Sequence, residues 1–174
     1  DRGHLTPDTL AAHIDALRRL PGLMHAALDH ESEIAATARA ISEARDVLFL
    51  GRGPMYPIAL EGALKLKEIS YIHAEGYASG ELKHGPIALV DPAVPVIVMA
   101  PRDALFDKTV SNMQEVMARD GRVVLITDAA GAAEAGTGCW RTVTLPSVPD
   151  ILAPIVYAIP AQLLAYHGAV AKGT

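Results

Sequence analysis

The spacing of apolar and polar positions changes several times along the chain, and each change marks an element. Thr6 followed by Pro7 and Asp8 predicts a helix start, a hydroxyl cap with proline in the first turn. Leu10, Ile14, Leu17 and Leu20 then recur at helical spacing, and Pro21-Gly22 is expected to interrupt them. Residues 23–44 read as a second helix, with Ile34, Ala38 and Ile41 on one face. Both helices precede any strand. Three apolar runs follow, at 46–50, 95–100 and 122–127, and 141–145 reads as a fourth strand. Residues 57–71 and 104–119 are helical in pattern, 131–138 reads as a small-residue loop, and 150–172 as the last helix. No strand is read between 57–71 and 95–100. Val/Ile/Leu runs alternating with helices predict an α/β protein in three layers, with a parallel sheet covered on both faces. Ligands in such sheets sit beyond the carboxyl ends of the strands, which directs attention to 51–57, 72–86 and 101–104.

Composition narrows this picture. The 174 residues are 51% hydrophobic and 20% charged, which predicts one compact, ordered domain. Fifteen Lys and Arg stand against twenty Asp and Glu, a net charge of −5. That balance argues against broad binding of nucleic acid or anionic membranes. The single cysteine, Cys139, excludes an internal disulfide framework and a cysteine-based zinc site, and fits a cytoplasmic setting. The most apolar stretch, 151–170, is interrupted by Pro154, Pro160, Gln162, His167 and Gly168, so it reads as a buried helix and not a membrane span. The chain opens on Asp1-Arg2-Gly3-His4, without an initiator Met or a signal-peptide pattern, and is expected to be a piece of a longer protein.

Three segments could carry chemistry. Gly51-Arg52-Gly53 follows a strand and precedes a helix, where backbone N–H groups can cradle a phosphate. Tyr56 stands where a dinucleotide fingerprint has its third glycine, and a tight strand-to-helix turn explains the glycines equally well. Glu61, Lys65 and Glu68 share one helical face, as a solvated ion-pair stripe or as a carboxylate base with a cationic neighbour. The third segment, His73-Ala74-Glu75-Gly76-Tyr77 with Gly80-Glu81-Leu82-Lys83-His84-Gly85-Pro86, is dense in titratable residues and glycine. His84 stands before Gly85-Pro86, where a locally fixed backbone suits a group that must be aimed. Elsewhere, His167 reads as a satisfied core histidine and Cys139 as inert. Ser79 lacks a nucleophile elbow, and His4, His13, His25 and His30 form no metal-binding pair.

Gly51-Arg52-Gly53, the unbroken stretch from Tyr56 to Glu75, and Gly80-Glu81-Leu82-Lys83-His84-Gly85-Pro86 together closely resemble one family, the glutamine–fructose-6-phosphate amidotransferases. The resemblance is to the second of two sugar isomerase (SIS) domains in their isomerase half. It covers nearly the whole chain, from about Leu20 to His167. It implies a SIS-type, flavodoxin-like or Rossmann-like fold with a mostly parallel sheet of about five strands. Residues 1–44 would be leading helices, partly an inter-domain linker, and 45–174 the SIS domain. The resemblance further implies that Glu68 moves a proton between C1 and C2 of an open-chain sugar imine and that Lys65 lies near that base. His84 would open the sugar ring in the neighbouring subunit's site, which makes the protein a homodimer. Gly51, Arg52, Gly53 and Glu81 are candidates for contacting the substrate, a sugar phosphate such as fructose 6-phosphate or glucosamine 6-phosphate. No metal or other cofactor is expected.

Three departures from the family pattern stand out. The phosphate-holding Ser/Thr loop belongs to a first SIS domain, absent from this sequence, and the matching loop here, Pro101-Arg102-Asp103-Ala104, has no Ser or Thr and an Asp that repels phosphate. The tail lysine that forms the Schiff base is absent, and Lys172 does not inherit its role. The glutaminase domain is absent too. The expected function is therefore part of an isomerising aminotransferase, weakly active or inactive alone. The alternatives are a non-catalytic phosphosugar-binding or dimerisation module, and a SIS-type glucosamine-6-phosphate deaminase.

Overall fold

A computed structural model describes residues 4–174. The elements run α1 (Pro7–Leu28), α2 (Glu31–Ile41), β1 (Asp46–Gly51), α3 (Met55–Ser70), β2 (His73–Ala78), β3 (Pro95–Met99), α4 (Phe106–Met117), β4 (Arg122–Asp128), α5 (Ala129–Ala135), β5 (Arg141–Leu145) and α6 (Ala153–Lys172). Two 3-10 segments, Ser79–His84 and Pro86–Leu89, lie between β2 and β3. The sheet has five strands in the order β2-β1-β3-β4-β5, and every pairing is parallel. This is the doubly wound arrangement whose strand order reverses between β1 and β3.

Alternate residues of each strand point to opposite faces and build two cores. Val47 and Phe49 join Ile97 and Met99 beneath α2, α3 and α6. Leu48 and Leu50 join Val96, Val98, Leu82, Phe106 and Met113 on the other side. A single handedness of crossover accounts for the division. The chain leaves β1 in one direction through α3, and returns across β1 to β3, β4 and β5 in the other, through the 3-10 segments, α4 and α5.

The leading helices depart from expectation. α1 begins at Pro7, with the Thr9 N–H donating to Thr6 Oγ1 at 3.2 Å, but it runs through Pro21. Proline there lacks the N–H that would bond the Leu17 carbonyl, and both residues are exposed, so the break falls on the outer side of the helix. The interruption comes instead at Asp29 and His30, within the stretch expected to be one helix. Ile34, Ala38 and Ile41 are fully buried, on the shared face that their spacing predicts. α1 keeps Leu10, Ile14, Leu17, Met24 and Leu28 exposed.

Two further elements correct the sequence reading. Residues 73–78 form an edge strand, not a loop. Its alternation is small against polar, without the apolar residues that mark the other strands. Ala74 and Gly76 face α3, where a Cβ on Gly76 would come within 2.9 Å of the Ala59 carbonyl. His73, Glu75 and Tyr77 face the other way, with Tyr77 against the second core. The small-residue segment 131–138 is also not simply a loop, because α5 occupies its first part. Asp128 caps that helix by accepting the Gly131 N–H at 2.9 Å.

Candidate functional site

The turn after β1 is closed tightly upon itself. A Cβ on Gly51 would lie 2.1 Å from the Met55 carbonyl oxygen, and Gly53 has a φ of +54°. The Met55 and Tyr56 N–H groups donate to the Arg52 and Gly53 carbonyls, both at 3.1 Å, and Pro57 has no N–H. The start of α3 thus uses its first donors within the turn. Arg52 is half-buried, and its Nη1 donates to Asn112 Oδ1 on α4 at 3.2 Å. Gly80 lies against the same guanidinium, which a Cβ would meet at 2.9 Å. Gly51→Ala is expected to destabilise the fold by about 2–3 kcal/mol through overpacking. Denaturant unfolding measures it, and an unchanged midpoint would mean that the turn relaxes freely.

Lys65 and Glu68 sit near the opposite end of α3. Lys65 Nζ donates to Glu68 Oε2 at 2.8 Å, and both side chains are exposed. The hydrogen bond to Glu68, and then the Glu68 charge, hold the Lys65 ammonium above the usual 10.5; desolvation opposes this slightly, and Glu61 adds a smaller push upward. A raised lysine keeps the pair intact at neutral pH, and its contribution fades only as pH rises through that raised value. Glu61, two turns earlier, makes no ion pair among the described residues, so the charged stripe condenses into one pair.

His84 ends the first 3-10 segment, ahead of Gly85 at φ +145°, a conformation closed to other residues. Its Nδ1 lies 2.7 Å from Glu81 Oε2, an arrangement that leaves Nε2 open. At 71% exposure, the His84 side chain projects away from the fold. The segment beneath it is anchored. Leu82 is fully buried, Lys83 pairs with Glu115 on α4 at 2.8 Å, and Arg119 donates to the Ile87 carbonyl at 3.3 Å.

The chain does not unite its candidates. Lys65 and Glu68 are carried by the helix packed on the first core, Glu81 and His84 by the segment packed on the second. The two pairs thus belong to opposite faces of the sheet.

A cavity of about 340 Å³ lies beyond β3 and β4, lined by Arg102, Asp128, Ser147 and Asp150 among others. Asp128 receives the Arg102 N–H at 3.1 Å. The Arg102 guanidinium meets Glu134 at 2.9 Å and Asp107 at 3.8 Å, and lies over the Phe106 ring. With that cation neutralised and two carboxylates on the wall, the cavity is poorly suited to phosphate. Tyr157 on α6 is buried, and burial, then Asp128 and Asp103, push its phenol far above the ordinary value of 10.0. A second cavity of about 340 Å³ lies at the amino ends of β1 and β2, beside Asp46, His73, Glu75 and Asp91. His73 bridges Asp46 and Glu75 there, at 2.8 and 3.3 Å.

Sequence reasoning missed Asn112, Glu115 and Asp128. The first two support Arg52 and Lys83 from distant positions, and nothing local signals such contacts. Asp128 was legible as a cap once α5 was recognised. His167 is mostly buried and pairs with Glu31 at 3.0 Å, and burial pushes the Cys139 thiol up. Among the described residues, no group of three or more His, Cys, Asp or Glu is arranged for a metal ion, and no helix is long and apolar enough to cross a membrane.

Comparisons with known proteins bear on this geometry. Residues 40–172 match the SIS domain family. A glutamine–fructose-6-phosphate aminotransferase (isomerizing) of Zymomonas mobilis is 60% identical over 173 residues, which is 99% of this chain and 28% of the relative. One from Rhizobium leguminosarum is 57% identical over the same shares. The C-terminal domain of glucosamine-fructose-6-phosphate aminotransferase from Francisella tularensis superposes with a TM-score of 0.93 at 48% identity, covering 98% of this chain and 48% of that structure. The chain thus spans little more than a quarter of the curated relatives it matches.

Proposed function

The chain belongs to the SIS domain family, and on that premise we propose that it supplies the proton-transfer part of a glutamine–fructose-6-phosphate aminotransferase. In this reading the larger protein makes glucosamine 6-phosphate from fructose 6-phosphate and glutamine. The observation that carries it is the Lys65–Glu68 pair, ordered at 2.8 Å yet open to solvent near the end of α3. Its setting in a chain 60% identical to a named enzyme of that activity supports the same reading.

Glu68 is the base. Its carboxylate takes the proton from C1 of the open-chain C2 imine; the C1–H pair forms a C1–C2 double bond while the C2–N π pair moves to nitrogen, which takes up a proton. The C1 hydroxyl then gives up its proton and becomes the aldehyde carbonyl, as the C1–C2 π pair takes the proton back from Glu68 at C2. Lys65 keeps the carboxylate oriented and offsets its charge. His84, held through Nδ1 by Glu81, presents Nε2 for the proton exchange that opens the sugar ring. Because Lys65–Glu68 and Glu81–His84 belong to opposite faces, a second copy of the chain brings His84 to Glu68, and the working unit is a homodimer. Arg52 remains a substrate contact in this reading, through the donors that Asn112 leaves free. Gly51 and Gly53 act by shaping its turn. The carboxylates beyond β3 and β4 favour a phosphate anchor outside this chain, on a preceding SIS domain. The uncovered apolar face of α1 suits the packing of such a domain, with the leading helices as the joint. We assign the protein to the cytoplasm, where an unpaired Cys139 stays reduced.

The test is a chimera in which this chain replaces the matching segment of the Zymomonas mobilis relative. The chimera is expected to form glucosamine 6-phosphate from fructose 6-phosphate and glutamine, while the isolated chain is weakly active or inactive. A folded chimera that hydrolyses glutamine but forms no amino sugar would overturn the reading.

A further inference from the structure

The last turn of α3 is fastened from three directions. Ser70 Oγ donates to the Leu66 carbonyl at 2.6 Å and accepts the Ile72 N–H at 3.3 Å. The Tyr71 N–H donates to the Lys67 carbonyl at 3.2 Å, with Tyr71 itself at a φ of +57°. Thr174, beyond the end of α6, donates from its hydroxyl to the Ile69 carbonyl at 2.7 Å. These bonds engage the carbonyls on either side of Glu68. The joint to the sheet is two residues long, because β2 begins at His73, whose N–H donates to the Arg45 carbonyl at 3.2 Å.

Ser70 is central to this arrangement. It is fully buried, and so is Ile72, whose N–H depends on the Ser70 hydroxyl. Helix ends leave carbonyls without internal partners, and an unpaired buried N–H costs free energy that the backbone relieves by moving. Here the movement open to it is unwinding of the turn that carries Glu68. A base that must reach one C–H bond loses rate when displaced by a fraction of an ångström, whereas substrate affinity set by distant contacts is unaffected.

We propose that Ser70 is a positioning residue for Glu68, acting through the closed end of α3, an inference that rests on the reading of Glu68 as the base. Ser70→Ala in the chimera is expected to lower kcat roughly 10- to 100-fold with KM within about twofold of the parent. Ser70→Thr, which keeps the donor and the acceptor, is expected to restore most of that rate. If Ser70→Ala does not fold, Thr174→Val serves in its place, releasing the same turn from an exposed position at an expected cost of about threefold in kcat. Glu68→Gln is assayed alongside. With Glu68→Gln inactive, parental kcat in a folded Ser70→Ala protein overturns the positioning role, as does equal loss in Ser70→Ala and Ser70→Thr. Where Ser70→Ala is unfolded, parental kcat in Thr174→Val overturns it. Full activity in Glu68→Gln instead removes the reading beneath it.

Discussion

Glu68→Gln in the chimera is expected to lower formation of glucosamine 6-phosphate by about 10²- to 10⁴-fold, the usual contribution of a positioned base. Glutamine retains the size of glutamate and an oxygen that can accept from Lys65, so the local structure survives. What it lacks is the ability to accept a proton from carbon. The ion pair is exposed, and exposed pairs contribute little to stability, so the thermal midpoint is expected to stay close to the parent. Glutamine hydrolysis, performed by a different domain in this reading, is expected to continue. Parallel assays of glutamate release and amino-sugar formation separate the outcomes. Loss of amino sugar alone supports Glu68 as the base. Unchanged amino-sugar formation would require another base.

The sheet was legible in the sequence wherever a strand is buried on both faces. Residues 46–50 and 122–127 are continuous apolar runs because β1 and β4 have neighbours on both sides and helices above and below. β2 was not legible because it alternates small and polar residues, whereas the other edge strand, β5, keeps Val143 and Leu145 on its buried face. His73, Glu75 and Tyr77 tolerate partial exposure, Ala74 is buried, and Gly76 lies so close to α3 that a Cβ would come within 2.9 Å of its backbone. α5 was hidden for a related reason, since Gly131 occupies a place where a Cβ would come within 2.0 Å of Thr127 Oγ1, and glycine in that setting reads as loop. The candidate site was half legible. Spacing alone put Lys65 and Glu68 on one face, and the roles proposed for them come from the resemblance. Spacing could not show that α3 and the 3-10 segment belong to opposite sides of the sheet, because that depends on the order in which the strands assemble.

That division makes the second large effect a matter of complementation between chains. Glu68→Gln and His84→Ala chimeras are each expected to be nearly inactive when produced alone. Co-produced in equal amounts, they are expected to recover about a quarter of parental activity, the statistical result for a two-fold symmetric dimer. Half of the dimers are mixed, and each mixed dimer holds one site in which Glu68 of one chain meets His84 of the other, both intact. Its second site carries both substitutions. If His84 instead served the Glu68 of its own chain, every site in every dimer would lack one of the two groups, and no activity would return. The first outcome is expected because, among the described residues, the His84 ring has Glu81 as its one hydrogen-bond partner and projects outward at 71% exposure, on a segment anchored by Leu82, Lys83 and Glu115. A side chain so firmly based and so exposed suits the role proposed for it in a neighbour's site. Recovery well above the background of either variant supports the shared site, and recovery no greater than that background places His84 outside it.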